Sequence, residues 1–456
     1  MFLGTEGGFV IHSRLSFYAT LFLLTGAVGC WQPGQSTYPV GALSPDAGLS
    51  RAKAATKSQA NDGGNRQRSA AFIARLDHDG HPIWSVTTSG PGYVVAHAIA
   101  LDGQGNTVMM GTFNGQVSFG RYGLRSVGIF GDYFLAKISK QGRPLWVRAL
   151  LPADMKAPSG LAISKAGKIF VTGAFSGQRN LAGKALSAAG GRDIFVAAFA
   201  PDGQLLNAVR VGGPGDDVGH DIALGASGDI YLTGSFSGPS ISMGGTTLKA
   251  GGAMNMFVAR LKSTGHVRWA RASRGCPRSE GYRLLLDNKG DVFVLGHFWG
   301  TELVLGQHRL EALSRKELTK DIFVTKLSAN GAFRWAHALG GTAGDEGLGL
   351  SFDAYGDVSV LGRFQARSAL FGQIIVHAPT AQGALFVATV SGQGIFLEAN
   401  IGDAFFDQAE PNSAFSAEAR FVTGDVYASA AHGVDLPAVT LWTAGLSSNQ
   451  PHSHGN

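Results

Sequence analysis

The chain has 456 residues, and a hydrophobic content of 45% excludes a generally disordered protein because it supplies enough apolar material for a packed core. Glycine accounts for 66 residues, about twice its ordinary frequency, while charged residues make up 15%, well below the usual ~25%. Many turns and few charged helical faces favour an all-β fold. The formal net charge is +6, and half of it falls in residues 30–69, so the rest of the chain is too close to neutral to favour nucleic-acid binding.

Residues 1–29 predict a signal peptide. Their apolar run, LSFYATLFLLTGAVG (15–29), has a strongly apolar part too short to span a bilayer. The run ends in AVGC, which resembles the lipoprotein box of bacterial lipoproteins. The resemblance implies that Cys30 is diacylated and anchors an exported protein to the cell envelope, at the outer membrane. The alternative is an ordinary secretory signal in which Cys30 has no role.

Residues 30–69 predict a flexible tether. They are rich in Pro, Gly, Ser, Gln and Ala and show no sustained apolar alternation, so they cannot bury enough surface to offset their ordering entropy. Residues 436–456 are predicted as a C-terminal extension and tail. With Cys30 acylated, Cys276 has no partner in the chain, and no disulfide is expected.

Residues 70–435 contain six copies of one repeat, spaced 61–66 residues apart. The first anchor is a Phe at positions 72, 134, 195, 257, 323 and 386. A second anchor follows 10–12 residues later, at Trp84, Trp146, Leu206, Trp269, Trp335 and Phe396. A third is a glycine inside an apolar strand, at Gly111, Gly173, Gly234, Gly296 and Gly362.

Each repeat predicts four short strands joined by turns. In residues 221–271 the strands are DIALGA, IYLTGSFSG, MFVARLK and HVRWARA, and SMGGTTLKAGGAMN is expected to be a loop. Six equal four-stranded units favour a β-propeller of six blades, with seven as the alternative. The repeat is cut within a blade, so the strands near 70–87 are predicted to pair with those near 413–430 and close the ring.

The repeat resembles the bacterial SBBP β-propeller repeat family. The resemblance rests on the pattern GG-x-G-D-D/E, then G-D-V-Y-V-T-G-x-F, D-x-F-V-A-K-L and Trp, as in residues 212–236, 321–335 and 340–364. It implies a β-propeller, although the family is described as seven-bladed and this chain has six anchor sets.

Catalytic motifs are absent from the sequence, which contains no HExxH, GxSxG, CxxC or phosphate loop. Turns such as Asp102–Asn106 resemble calcium loops, but the equivalent turns at 164–168 and 225–229 lack the first Asp, so a repeated metal site is excluded. The Asp is interpreted as capping its own turn. No metal site or cofactor is predicted, and a single Ca²⁺ in one blade is left open.

The loops that follow each Trp-bearing strand vary most between copies, and all six are expected on one face of the disc around its axis. The candidate ligand-contact residues in them are Tyr93, His97, Asp216, Asp217, His220, Arg274, Arg278, Asp345, Glu346 and Asp407. Rigid blades that display variable loops favour a binding module, by analogy of fold. The cluster of His220 with Asp216 and Asp217 repeats weakly in other copies, which favours a structural role for the cluster over ligand contact, although its residues stay among the candidates.

The sequence therefore predicts a monomeric, membrane-anchored lipoprotein that binds a protein or a glycan. The alternative is a secreted or envelope enzyme, of lyase or glycosidase type, working in the central funnel. That reading requires two carboxylates facing one cavity. A purely structural envelope protein is the third reading.

Overall fold

The computed structural model describes residues 38–43, 70–76, 82–153, 160–313, 319–353, 355–381, 383–401 and 439–441. In these residues all regular structure is β-strand, so the expected all-β class is confirmed. No helix in this part of the chain is long and apolar enough to cross a membrane.

The first sheet begins upstream of the first repeat anchor. β1 (Tyr38–Leu43) pairs antiparallel with β2 (Ala70–Leu76), which pairs with β3 (Pro82–Thr87). Residues 38–43 are therefore a strand where a flexible tether was predicted. The physical reason is that β2 needs a partner for its free edge, and β1 supplies those hydrogen bonds. The partner predicted for β2, near 413–430, lies outside the described residues.

Five further sheets follow, each an antiparallel meander of four strands. The second sheet is formed by β4 (Tyr93–Leu101), β5 (Thr107–Asn114), β8 (Asp132–Ile138) and β9 (Pro144–Pro152), with the hairpin β6 (Gln116–Phe119) and β7 (Tyr122–Arg125) between β5 and β8. The third sheet is formed by β10 (Gly160–Ile163), β11 (Ile169–Leu181), β12 (Lys184–Phe199) and β13 (Leu205–Val211). Here β11 and β12 are long enough to include the hairpin.

The fourth and fifth sheets repeat this arrangement. The fourth is formed by β14 (Asp217–Leu224), β15 (Ile230–Ser237), β18 (Met254–Leu261) and β19 (Val267–Ala272), with the hairpin β16 (Ser240–Met243) and β17 (Thr246–Lys249). The fifth is formed by β20 (Arg278–Leu286), β21 (Val292–Trp299), β24 (Lys320–Leu327) and β25 (Phe333–Gly340), with the hairpin β22 (Glu302–Leu305) and β23 (His308–Glu311). The two sheets are joined by a single parallel pair between β18 and β20, Met254 with Arg278.

The sixth sheet is formed by β26 (Glu346–Phe352), β27 (Val358–Phe364), β30 (Ala384–Val390) and β31 (Phe396–Ile401), with the hairpin β28 (Ser368–Phe371) and β29 (Ile374–His377). The hairpin strand β28 also pairs with β25 of the fifth sheet. Finally, β32 (Val439–Leu441) pairs parallel with β1 and completes the first sheet as its fourth strand. The first sheet thus joins the two ends of the described chain.

The hairpin between the second and third strands is a feature that the sequence reading missed. Residues 243–247 were expected to be part of a loop, but Gly244 and Gly245 have φ values of +50° and +88° and form the tight turn of the β16–β17 hairpin. Two consecutive positive φ angles favour glycine and match the twist of the flanking strands. The repeat is therefore a four-stranded sheet with an inserted hairpin.

In the described part of the chain the core comprises five apolar clusters, each lying between two consecutive sheets from the first to the sixth. The first strands of consecutive sheets, β4, β10, β14, β20 and β26, lie beside one another, and β32 lies beside β4. Each sheet therefore buries its faces against its neighbours in chain order.

Tryptophan side chains of the first, second, fourth and fifth sheets are hydrogen-bonded to the sheet that follows, Trp146 of the second sheet to the carbonyl of Pro201 at 3.2 Å. The indole Nε1 atoms of Trp84 and Trp269 donate hydrogen bonds of 2.9 Å to the carbonyl oxygens of Lys140 and Ala329, which lie in turns of the following sheets. Trp335 donates in the same way to the carbonyl of Gly392, at 3.2 Å. The aromatic anchor thus fills the gap between sheets and also satisfies a turn carbonyl.

Strand register corrects two of the second anchors. Trp269 stands opposite Arg260, and the residues opposite the equivalents of Arg260 in the third and sixth sheets are Asn207 and Glu398. Leu206 and Phe396, which we took as the anchors, are one and two residues out of this register. The described residues of these two sheets therefore lack the tryptophan hydrogen bond to a turn of the next sheet.

Close packing explains the recurring glycine, because an added methyl group would meet the Phe ring of the adjacent strand and, at Gly111 and Gly234, also a backbone carbonyl oxygen. A methyl group at Gly173 would lie 2.8 Å from the ring of Phe195, the first anchor, on the adjacent strand, and 3.0 Å from the hydroxyl of Tyr133. The glycine and the Phe anchor of each repeat are thus one packing unit.

The turns between first and second strands bear out the capping interpretation. Oδ1 of Asp102 accepts the backbone N–H groups of Gln104 and Asn106, both at 2.9 Å. Its other oxygen lies 2.8 Å from the ammonium of Lys137. The Asp holds its own turn and the basic residue of the third strand.

Candidate functional site

A β-bulge recurs near the start of the first strand in four sheets. It lies at Ala96/Ala98, Gly219/Asp221, Gly281/Arg283 and Gly347/Gly349. A bulge leaves one residue unpaired and re-aims its side chain. At these bulges the strand register skips His97, His220, Tyr282 and Leu348. The same backbone device thus presents a different side chain in each sheet.

A polar cluster forms where the bulges of the fourth and fifth sheets meet. Oε2 of Glu280 lies 3.8 Å from Nε2 of His220, and Oε1 of Glu280 lies 3.8 Å from Nδ1 of His297. The Tyr282 ring lies between the two imidazoles, with centroid distances of 5.8 and 5.7 Å. One carboxylate is therefore held between two histidines.

Arg278 and Trp299 extend the cluster to the surface of the protein. The guanidinium of Arg278 lies 4.4 Å from the centre of the Trp299 ring and 4.0 Å from Oε2 of Glu280. The side chain of Arg278 is 49% exposed and that of Glu280 is 18% exposed, whereas both histidines are buried. We call Arg278, Glu280, Tyr282 and Trp299, with His220 and His297 behind them, the Glu280 surface.

The electrostatics keep Glu280 ionised. Burial alone would raise its pKa, but His297, His220 and Arg278 outweigh burial and lower the pKa to about 2. Burial lowers the pKa of His220 to about 4 and also lowers that of His297, although Glu280 opposes both shifts. At neutral pH the surface therefore presents one carboxylate and two neutral imidazoles.

The tautomer of His297 follows from its hydrogen bond. Its Nε2 accepts the backbone N–H of Gly347, on the sixth sheet, at 2.9 Å, so the proton lies on Nδ1 and faces Glu280. Nε2 of His220 lies 3.4 Å from the Ser235 hydroxyl, while its buried Nδ1 has no hydrogen-bond partner within the described residues. The ring that orients Glu280 is thus fixed by the neighbouring sheet.

A second carboxylate occupies the equivalent position one sheet on. Glu346 accepts from Arg363 at 2.9 Å and lies 3.3 Å from Lys320. Burial would raise its pKa, but these two cations lower it. No group of three or more His, Cys, Asp or Glu side chains in the described ranges is arranged to hold a metal ion.

The sequence-predicted residues divide into two groups. His220 and Arg278 meet on the Glu280 surface, and Glu346 lies in the equivalent position on the next sheet. The remaining exposed or half-buried candidates lie apart from this surface: Tyr93 is 42% exposed at the start of β4, His97 contacts the Thr112 hydroxyl at 3.0 Å, Asp216 accepts the N–H of Arg192, and Arg274 donates to the Gly306 carbonyl. Asp407 lies outside the described residues.

Asp217 and Asp345 differ from the expectation of ligand contact. Both are fully buried, and each accepts the backbone N–H of a loop glycine, Gly213 at 2.5 Å and Gly341 at 2.7 Å. The two aspartates therefore hold the loop that precedes the first strand, which is the structural role that the sequence favours for this cluster and its weaker copy.

Sequence reasoning did not select three residues of the Glu280 surface, Tyr282, His297 and Trp299, and it noted Glu280 only as a residue of the variable loops. A signal for His297 was present, because it occupies the single variable position of the G-x-F motif. That position lies opposite the start of the first strand, as in the pairs Glu280 with His297 and Glu346 with Arg363. Comparing two positions between the repeats, the residue at the start of the first strand and the middle residue of the G-x-F motif, could have revealed this pairing.

The buried Asp217 gives a testable pH dependence. Burial raises its pKa to about 7, so the folded protein binds this proton more tightly than the unfolded chain does. Its stabilising contribution is complete below about pH 4 and is lost as the pH rises through 7. We expect Asp217→Asn, which keeps an acceptor for Gly213, to gain up to about 1.4 kcal/mol per pH unit relative to wild type over this range. Denaturant titrations of both proteins at pH 4 to 8 check this, and a constant difference would contradict it.

Comparisons with known proteins leave the family open, because no family model and no curated protein matches the chain. Three solved structures are similar at low level. A eukaryotic initiation factor has 10% identity and a TM-score of 0.32, covering 75% of this chain and 66% of its own. A GH43 protein from Bacillus licheniformis has 10% identity and a TM-score of 0.30, covering 67% and 56%.

The third, a mannose phosphorylase from Leishmania mexicana, has 9% identity and a TM-score of 0.31, covering 68% of this chain and 89% of its own. This chain spans less than two thirds of the length of the first two. TM-scores of this size do not establish a shared fold, so the functional argument rests on the residues of this chain.

Proposed function

We propose that the six sheets form a β-propeller and that the protein is a binding module for a glycan, recognised at the Glu280 surface. Three features support the ring: sheets that pack in chain order, first strands that lie side by side, and a first sheet built from both ends. Closure would require the sixth sheet to pack against the first. The resemblance to the SBBP repeat family supports the same proposal.

The Glu280 surface carries the proposal for a glycan. The single most telling observation is the Arg278 guanidinium stacked on Trp299 beside the ionised Glu280. The ring holds the half-exposed guanidinium flat, so that this donor and the Glu280 carboxylate beside it can bind sugar hydroxyls through strong charge-assisted hydrogen bonds. Recognition sites use a few well-placed polar groups of this kind.

The same electrostatics disfavour the enzyme alternative at this surface. A glycosidase of the usual kind needs one protonated carboxyl group beside an ionised one. Glu280 and Glu346 both have pKa values below the ordinary range, so each is ionised at neutral pH. The pair therefore offers hydrogen-bond acceptors and no proton donor.

The proposal for the cellular location of the protein rests on its N-terminal sequence. We propose an exported, monomeric lipoprotein held at the outer membrane through Cys30, which lies outside the described residues. The protein would then present its binding surface to glycans at the cell envelope.

The test is affinity electrophoresis of the full chain through gels that contain xylan, mannan or β-glucan. We expect at least one polysaccharide to retard the wild type, and Trp299→Ala and Glu280→Gln to weaken that binding about 10-fold or more, since each removes a central contact. Glu302→Gln, on the hairpin of the same sheet, is the matched control and should bind like wild type. Retardation that is equal in all variants, or absent in the wild type, would count against the proposal.

A further inference from the structure

A basic groove of about 640 Å³ lies between the fourth sheet and the turn that joins β24 to β25 in the fifth. Its walls include Arg260, Arg268, Arg271 and Asn330. Met254 is paired with Arg278 of the Glu280 surface, and Arg260 lies six residues further along β18. At about 3.3 Å per residue the groove is about 20 Å away from that surface along the strand.

The groove has more cations than its single acid can neutralise. Arg260 is bound to Asp229, at 2.9 Å from its Nε, and to the Ala329 carbonyl, at 3.0 Å. Arg268 shares the same Asp229 oxygen at 2.7 Å, and its side chain is 43% exposed. Arg271 donates to the Ala270 carbonyl and has no acidic partner among the described salt bridges. One carboxylate thus faces three guanidinium groups.

The other sheets have fewer guanidinium groups at these positions, and Lys326, the fifth-sheet equivalent of Arg260, lies beside two acids, Asp287 and Asp291. At the positions equivalent to Arg268 and Arg271, the fifth sheet has Arg334 and His337, and the third has Leu206 and Val209. Among the described meanders, three guanidinium groups meet at this position in the fourth sheet alone. Because the other sheets form the same meander without these three arginines, the fold does not require them, and this favours a role for them in ligand binding.

We propose that the basic groove binds an acidic polysaccharide, with Arg268 and Arg271 pairing with its carboxylate or sulfate groups. A guanidinium fork matches either oxyanion. The Thr246 hydroxyl and the Asn330 amide, which also line the groove, match sugar hydroxyls, and Trp269 contributes an aromatic wall. The site is separate from the Glu280 surface and is independent of the neutral-glycan proposal.

The test measures binding of the full chain to polygalacturonate, dextran sulfate, neutral dextran and a single-stranded oligonucleotide by biolayer interferometry. We expect polygalacturonate or dextran sulfate to bind, and the double variant Arg268→Gln/Arg271→Gln to weaken this binding at least 10-fold. Arg334→Gln removes the same charge at the equivalent position of the fifth sheet and should stay within twofold of wild type. Glu280→Gln should also leave this binding unchanged, which separates the two sites.

The two acidic polymers distinguish carboxylate from sulfate as the recognised group. The proposal is overturned if neither acidic polysaccharide binds, if neutral dextran binds as tightly, or if the double variant binds like wild type. Tighter binding of the oligonucleotide, lost in the same double variant, would overturn it in favour of a nucleic-acid site. Equal losses of binding in the double variant and in Arg334→Gln would show that overall charge causes the effect, and would also overturn the proposal.

Discussion

Replacing Gly173 by alanine is expected to lower the free energy of unfolding by about 2 to 3 kcal/mol, the upper part of the range for overpacking a core. The added methyl group would lie 2.8 Å from the Phe195 ring and 3.0 Å from the Tyr133 hydroxyl, all within the core between the second and third sheets. Both neighbours are fully buried, so displacing either one would disturb the packing around it. Denaturant unfolding of the two proteins measures the difference.

A double variant tests the cause. Phe195→Leu removes the ring edge that would meet the new methyl group, so Gly173→Ala should cost at least 1 kcal/mol less in that background than in wild type. Additive effects would show that the glycine serves another purpose, such as backbone conformation.

Trp335→Ala is expected to lower the free energy of unfolding by about 3 to 5 kcal/mol, as for other buried large-to-small changes. Trp335 is 8% exposed, packs edge-on against Phe293 at 6.0 Å and donates to the Gly392 carbonyl of the sixth sheet. Trp335→Phe keeps most of the packing and should cost less, about 1 kcal/mol for the lost hydrogen bond. Thermal and denaturant unfolding report both values.

The control lies at the same register position in the third sheet. Asn207 is exposed, and the described residues show no hydrogen bond from it to the next sheet. Asn207→Ala should therefore change the free energy of unfolding by no more than about 0.5 kcal/mol. A loss at Asn207 as large as that at Trp335 would show that the position matters for strand pairing and not for contact between sheets.

The sequence was a good guide to the sheets because their anchors are packing requirements. The Phe and the in-strand Gly recur from sheet to sheet, and the Trp recurs in four of the sheets, so their spacing revealed the strands directly. The hairpins were missed because Gly244 and Gly245 were read as loop residues, although a glycine pair between short alternating segments is also a hairpin signal. The Leu206 anchor was misplaced because an aliphatic residue one position away resembles a conservative replacement for Trp.

The candidate site was harder to predict than the sheets. The loops chosen for their variability included His220 and Arg278, but also Asp217, whose carboxylate serves its own loop. Burial separates the two kinds of residue, and a single sequence does not show burial for loop positions. His297 lies on β21, opposite Glu280 on β20. His220, the second histidine beside Glu280, lies at the β-bulge of the fourth sheet. That bulge is a backbone irregularity with no distinctive residue code.

The central claim, that a glycan binds where the fourth and fifth sheets meet, is tested most directly by hydrogen–deuterium exchange of the full chain with and without a retarding polysaccharide. The account predicts slowed exchange in residues 278–284 and 295–300, at the start of β20 and the end of β21, with little change in residues 267–272. Protection confined to other segments, or the same protection in Trp299→Ala as in wild type, would contradict it.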